Sequence, residues 1–142
     1  MKVRGLFLIF VCLGLAMASQ CTSLCAQSQS QKMNQEFVLY ESTDSLSVFA
    51  DAPVTFRKSP GSKILVEISV ELENAGPNIM LVLTRSNRYK LQETRIGSIL
   101  LLSRTKDIPS ISVAGQPLIE RVSYKIYLPR PFWGLIPKYN RS

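Results

Sequence analysis

The chain has 142 residues, 46% of them hydrophobic, and a formal net charge of +7, which suits one domain with its own core. It contains no histidine. That excludes the usual general base near neutral pH, the usual metal ligand and every serine–histidine or cysteine–histidine nucleophile.

The first residues, "MKVRGLFLIFVCLGLAMASQCTSLCAQ", have the three parts of an export signal: basic Lys2 and Arg4, an apolar run from Gly5 to Met17, then small residues. The apolar run is shorter than the roughly 20 residues that span a bilayer, so a cleaved signal over residues 1–26 is expected rather than a permanent membrane span. Two cuts fit, one at Ala16-Met17-Ala18 and one after Ala26. The three cysteines, Cys12, Cys21 and Cys25, all lie in or beside this segment. A cut after Ala26 therefore leaves neither a disulfide framework nor a Cys/His zinc site. Lipidation at Cys21 or Cys25 is disfavoured, because Gln20 and Leu24 stand where a small residue normally precedes the acylated cysteine. Lys2 and Arg4 are two of 17 basic residues, so the rest of the chain carries 15 against 10 acidic ones, a surplus of five. The basic residues are scattered, which fits ordinary solubility and argues against nucleic acid as a partner.

Residues 27–36, "QSQSQKMNQE", are polar and without periodicity, and read as a flexible leader to a β-domain over 37–129. Leu46–Ala50 and Val54–Phe56 are short strand candidates. The best strand is "KILVEISVELE", where Ile64, Val66, Ile68, Val70 and Leu72 alternate with Leu65, Glu67, Ser69, Glu71 and Glu73. Pro60-Gly61 between these runs has the order of a type II turn, which predicts a hairpin over Val54–Leu72. "PNIMLVLTRSN" fits a short helix with Pro77 at its first position and Ile79, Val82, Leu83 and Ser86 on one face; alternation of Ile79, Leu81 and Leu83 leaves a strand open. "RYKLQET" and "SILLLSR" read as a second hairpin across "RIGS", and the run Leu100–Leu102 suggests a strand covered on both faces. In "PLIERVSYKIYL", Leu118, Val122, Tyr124, Ile126 and Leu128 share a face with one misfit, Glu120. Six to eight strands and at most one short helix make an all-β domain, a small antiparallel or mixed β-sandwich or an incomplete right-handed β-solenoid cap.

Catalytic chemistry would have to come from carboxylates or a Ser-Lys pair. Glu71 and Glu73 could face one site, since residues two apart on a strand sit about 7 Å apart, but alternation alone produces that spacing. Ser59, Ser62 and Lys63 merely bracket a turn. The glycines are isolated and form no phosphate loop. No enzyme activity, cofactor or metal site is expected.

The remaining feature is the tail over 130–142, where Phe132, Trp133, Leu135, Ile136 and Tyr139 are broken by Pro131, Gly134 and Pro137. It cannot continue a central strand. Either it folds back over an open end of the domain, or it presents Phe132, Trp133 and Tyr139 as a stacking platform with Arg130 and Lys138 meeting anionic groups.

The segments "VFADAPVTFRKSPGSKILVEISVEL", "YKLQETRIGSILLLSR" and "VSYKIYLP" resemble, in that order, the opening of the head-GIN-type auto-transporter adhesin domains of secreted and cell-surface bacterial proteins. The resemblance runs over Ser47–Pro129. In that family such an opening leads into a right-handed parallel β-solenoid, whose repeats are missing after Pro129; the expectation is a truncated form or a stand-alone cap. The family has no established enzymatic activity. The resemblance therefore implies surface placement and interaction rather than turnover. The expectation is an exported protein of the periplasm, outer-membrane surface or medium, acting by adhesion or assembly, with an envelope glycan or another surface protein as partner.

Overall fold

The computed structural model describes residues 28–105 and 108–134. The expected export signal, Lys138 and Tyr139 lie outside the described residues. The described chain is β-rich with one short helix: β1 (Gln29–Phe37), β2 (Ser45–Phe49), β3 (Val54–Lys58), β4 (Ile64–Glu73), α1 (Pro77–Arg85), β5 (Gln92–Ile96), β6 (Ile99–Ser103), β7 (Ser112–Val113), β8 (Gln116–Pro117) and β9 (Ile119–Leu128). A single turn of 3-10 helix follows at Arg130–Phe132.

The principal sheet has the order β1-β4-β9-β3, and a second sheet the order β2-β6-β5. The long central pair β4/β9 is antiparallel and pairs Glu73 with Ile119 at one end and Leu65 with Tyr127 at the other. Two-residue alternation decides its facing. Ile64, Val66, Ile68, Val70 and Leu72 are fully buried, as expected, and Val122, Tyr124, Ile126 and Leu128 of β9 are buried with them. They share one apolar cluster with Leu46, Leu100 and Leu102 of the second sheet and with Met80 and Leu83 of α1. Each fully buried Ile or Val contributes about 1.5–3 kcal/mol, so this cluster is the main source of stability. The β5/β6 hairpin forms as predicted, its two-residue loop using Gly97 at φ 61. The run Leu100–Leu102 is buried at both ends and half-buried at Leu101.

Three expectations are corrected. Residues 29–36, expected as part of a flexible leader, are instead paired strand: with Phe37 they form β1, antiparallel to β4 from Gln29↔Leu72 to Phe37↔Ile64. Composition hides this strand, because three of its five inward positions are glutamines, with only Met33 and Phe37 adding apolar bulk to the core. The Gln35 side chain donates from Nε2 to the Leu91 carbonyl at 2.7 Å and accepts from the Leu91 N–H at 3.0 Å, standing in for a ladder step.

The hairpin over Val54–Leu72 does not form either. β9 lies between β3 and β4, and β3 pairs with it in parallel, Val54↔Tyr124 to Lys58↔Leu128. Gly61 lacks the positive φ of a type II turn; the Ser59 Oγ accepts its N–H instead, at 3.2 Å.

The helix is present with Pro77 at its start, but it is rotated from the expected face. Met80, Leu83 and Thr84 point inward, at i, i+3 and i+4, while Val82 is exposed. The Thr84 hydroxyl is admitted to the core because it donates to the Met80 carbonyl at 2.9 Å. Among the described residues no helix is long and apolar enough to cross a membrane.

Candidate functional site

The tail residues within the described chain fold back. Pro129 leads into the 3-10 turn, Phe132 enters the core at 4% exposure, and Trp133 packs half-buried beside it. The Leu128 carbonyl accepts two bonds, from Trp133 Nε1 at 2.8 Å and from the Ser59 N–H at 2.8 Å. That carbonyl thereby ties the tail to the end of β3. Parallel pairing also places Lys58 beside Leu128, and its Nζ stands 5.2 Å from the Trp133 ring centre; the Arg130 guanidinium stands 5.7 Å from it. Neither cation pairs with a carboxylate among the described residues. Of the residues expected to form a platform, Arg130 and Trp133 meet here and Phe132 is removed by burial. Lys58 joins them, 72 positions earlier in sequence than Arg130. Only the parallel β3/β9 register brings it there, and no sequence signal announces that register.

Glu120, the misfit of β9, has its own partners. Arg88 donates from Nε to Oε2 at 2.9 Å and from Nη2 to Oε1 at 2.5 Å, and the Tyr89 hydroxyl donates to Oε2 at 2.8 Å. Arg88 Nη2 also reaches the Pro109 carbonyl at 2.7 Å, and the Tyr124 hydroxyl donates to the Tyr89 carbonyl at 2.9 Å. Burial pushes the Glu120 carboxyl up, but the bonds from Arg88 and Tyr89 outweigh it and hold the group below its ordinary range. The bond to Glu120 raises Arg88 further, against its burial. Burial, then the bond to Glu120, drives the Tyr89 phenol far above its usual range, and burial raises Tyr124 to about 12. Every group in this cluster is fixed in one protonation state near neutral pH. The arrangement clamps β9 to the segment after α1 and offers no proton to a substrate.

The acidic row of β4 lies on the outer face, interleaved with cations of neighbouring strands. Glu67 pairs with Lys125 at 3.3 Å and Lys32 at 3.5 Å, and Glu73 pairs with Arg121. The hydrogen bond from Lys125, opposed by some burial and aided by the charge of Lys32, lowers the Glu67 pKa. Glu71 is exposed opposite Arg121. Lys63 pairs with Glu36 at 2.9 Å rather than with a serine. Among the described residues no group of three or more acidic, histidine or cysteine side chains is placed to hold a metal ion.

A further surface was not legible in the sequence. Arg95 on β5 donates from Nη2 to the Val38 carbonyl at 2.9 Å and from Nη1 to the Thr43 hydroxyl at 3.3 Å, and its guanidinium lies 4.2 Å over the Tyr40 ring. Val38 and Tyr40 are each more than half exposed beside it, while Ile96 and Ile99, paired with each other and also exposed, lie on the other face of the β5/β6 hairpin. An arginine pinned over an exposed tyrosine and beside an exposed valine has the composition of an interface centre.

What these features define is a small β-rich domain whose ionisable groups mostly engage one another and whose exposed apolar and basic side chains gather at separate places. No protein-family model matches the chain, and no curated protein matches it. Among solved structures, a crystal structure of a "putative adhesin" from Bacteroides fragilis is similar over 70% of this chain and 36% of that one, at 14% identity and a TM-score of 0.37. The chain thus spans little more than a third of that protein's length. A likeness this loose assigns no family, and the architecture rests on the strands described above.

Proposed function

We propose that the protein is an exported, non-enzymatic module of the bacterial envelope that works by binding through its surface, in adhesion or assembly. The observation that carries this reading is the Val38–Tyr40–Arg95 patch: a large aromatic and an aliphatic side chain displayed to solvent beside an immobilised arginine. The commitment of Glu67, Glu73 and Glu120 to structural pairs supports binding over turnover. A Val38→Ser/Tyr40→Ser variant is expected to keep the wild-type circular dichroism spectrum while attachment of the purified protein to envelope or host-cell surfaces falls about tenfold or more, the loss of one interface anchor. Undiminished attachment overturns the patch as the working surface. Intact mass of the protein in the envelope fraction, expected to lack residues 1–26, tests export separately.

A second reading is favoured by the corner at Lys58, Trp133 and Arg130: an anionic glycan stacks on the indole while the two cations meet its acidic groups. Trp133 fluorescence is expected to shift on titration with an acidic polysaccharide, and the shift to disappear in Lys58→Gln/Arg130→Gln. A response that survives the double variant, or none across acidic glycans, ends this reading.

A further inference from the structure

Among the described residues β1 is the longest strand at an unpaired sheet edge, nine residues against five each for β3, β2 and β5. It pairs with β4 without interruption and contains neither proline nor glycine. In an antiparallel ladder every second residue of an edge strand turns its N–H and C=O away from its partner, and no backbone bond outside the β4 ladder is made by β1 among the described residues. Natural sheets blunt such edges with bulges, prolines or charges. The charges on β1 are Lys32 and Glu36, both on the outer face and with side chains 68% and 58% exposed. They stand four residues apart with Asn34 midway. In a two-fold antiparallel pairing of β1 with its own copy centred on Asn34, Lys32 lies directly opposite Glu36 of the second copy, and Glu36 opposite its Lys32. Centring on Lys32 or Glu36 sets like charges face to face. Centring on Met33 or Gln35 leaves the charges without direct partners. Moving the axis to a point between two residues would set an inward side chain opposite an outward one.

We propose that β1 is a self-association edge: a second copy of this chain adds to it antiparallel about Asn34, joining two principal sheets into one continuous sheet. The interface is isologous, as a two-fold demands, and its affinity comes from main-chain bonds with the two Lys32–Glu36 pairs fixing register. This goes beyond the proposed function and concerns a different surface from the Arg95 patch.

Charge exchange tests it on the protein as the producing cell leaves it, by sedimentation velocity. The wild type is expected to dimerise with rising concentration. Lys32→Glu and Glu36→Lys each set like charges opposite one another twice, and the dimer is expected to weaken about tenfold or more in either. An equimolar mixture of the two variants, and the double variant Lys32→Glu/Glu36→Lys, are expected to recover dimerisation, because opposite charges again face each other. Asn34→Cys is expected to give a covalent dimer on mild oxidation beyond that of the wild type. Ser30→Cys is not, since the strand rise sets it roughly 27 Å from its copy. A wild type monomeric at its highest soluble concentration, single variants that dimerise as well as the wild type, or a mixture that fails to recover overturns the proposal. The cross-linking pair decides it if a charge variant folds poorly.

Discussion

Glu120→Ala is expected to lower unfolding stability by roughly 3 kcal/mol at neutral pH, measured by urea denaturation. That is the low end for breaking one half of a buried ion pair, since some solvent still reaches it. The Arg88 and Glu120 side chains are only 10% and 15% exposed, so removing the carboxylate leaves the guanidinium partly desolvated and the Tyr89 hydroxyl without its acceptor. Arg88→Met should be nearly as costly. The double replacement Arg88→Met/Glu120→Leu should cost less than the sum of the two single changes, because no unpaired charge then remains. The pH dependence follows from the directions of the shifts. Glu120 titrates lower in the folded chain than in the unfolded one, so its contribution is full above the ordinary carboxylate range and is lost as acidification carries it through the folded value. Glu120→Gln should therefore show a shallower acid limb than the wild type. Tyr124 is shifted the other way. Its contribution is full below the ordinary phenol range and disappears as the pH rises toward about 12. Tyr89, shifted the same way, adds to this alkaline limb, so Tyr124→Phe should make it shallower rather than abolish it. A Glu120→Ala variant within 1 kcal/mol of wild type would show that the pair is solvated and structurally idle.

Glu120 also marks how far the sequence can be read. Its place on the inward face of β9 is legible, because Val122, Tyr124, Ile126 and Leu128 fix that face by alternation alone. Its partners are not. Arg88 and Tyr89 sit in an irregular segment after α1, and nothing in "SNRYK" says that it folds against a strand 31 residues later. The strands β2, β4 and β9 declare themselves through apolar periodicity and β6 through its leucine run. By contrast, β1 pairs with β4 with glutamines at most of its inward positions, one of them held by amide hydrogen bonds that no hydropathy pattern records. The hairpin expected at Pro60-Gly61 fails for a different reason. A turn motif constrains only its own residues, and the choice of β9 as neighbour of both β3 and β4 is made by burial across the sheet. The Arg95 patch is the same problem at the surface: "RYKLQETRIGS" shows an arginine, but not that β5 brings it to Val38 and Tyr40.

Phe132→Ala is expected to destabilise by about 3–4 kcal/mol, the cost of deleting a buried aromatic ring and leaving a cavity. Against a total of roughly 5–15 kcal/mol for a domain, that is a large fraction. The reason lies in the chain's change of direction at Pro129. β9 ends with Leu128 buried, and the proline removes the next ladder donor. The 3-10 turn then carries Phe132 back into the cluster that the strand would otherwise leave open. Trp133→Phe is a milder change of about 1 kcal/mol, because it keeps most of the ring area and loses one hydrogen bond to a carbonyl that still accepts the Ser59 N–H. The pair of variants separates two roles that the tail combines within two residues: Phe132 closes the domain, while Trp133 presents its ring to Lys58 and Arg130. If urea denaturation places Phe132→Ala within 1 kcal/mol of the wild type, the tail does not belong to the core. The Lys58–Trp133–Arg130 corner would then lose the rigid support that any ligand stacked on it requires.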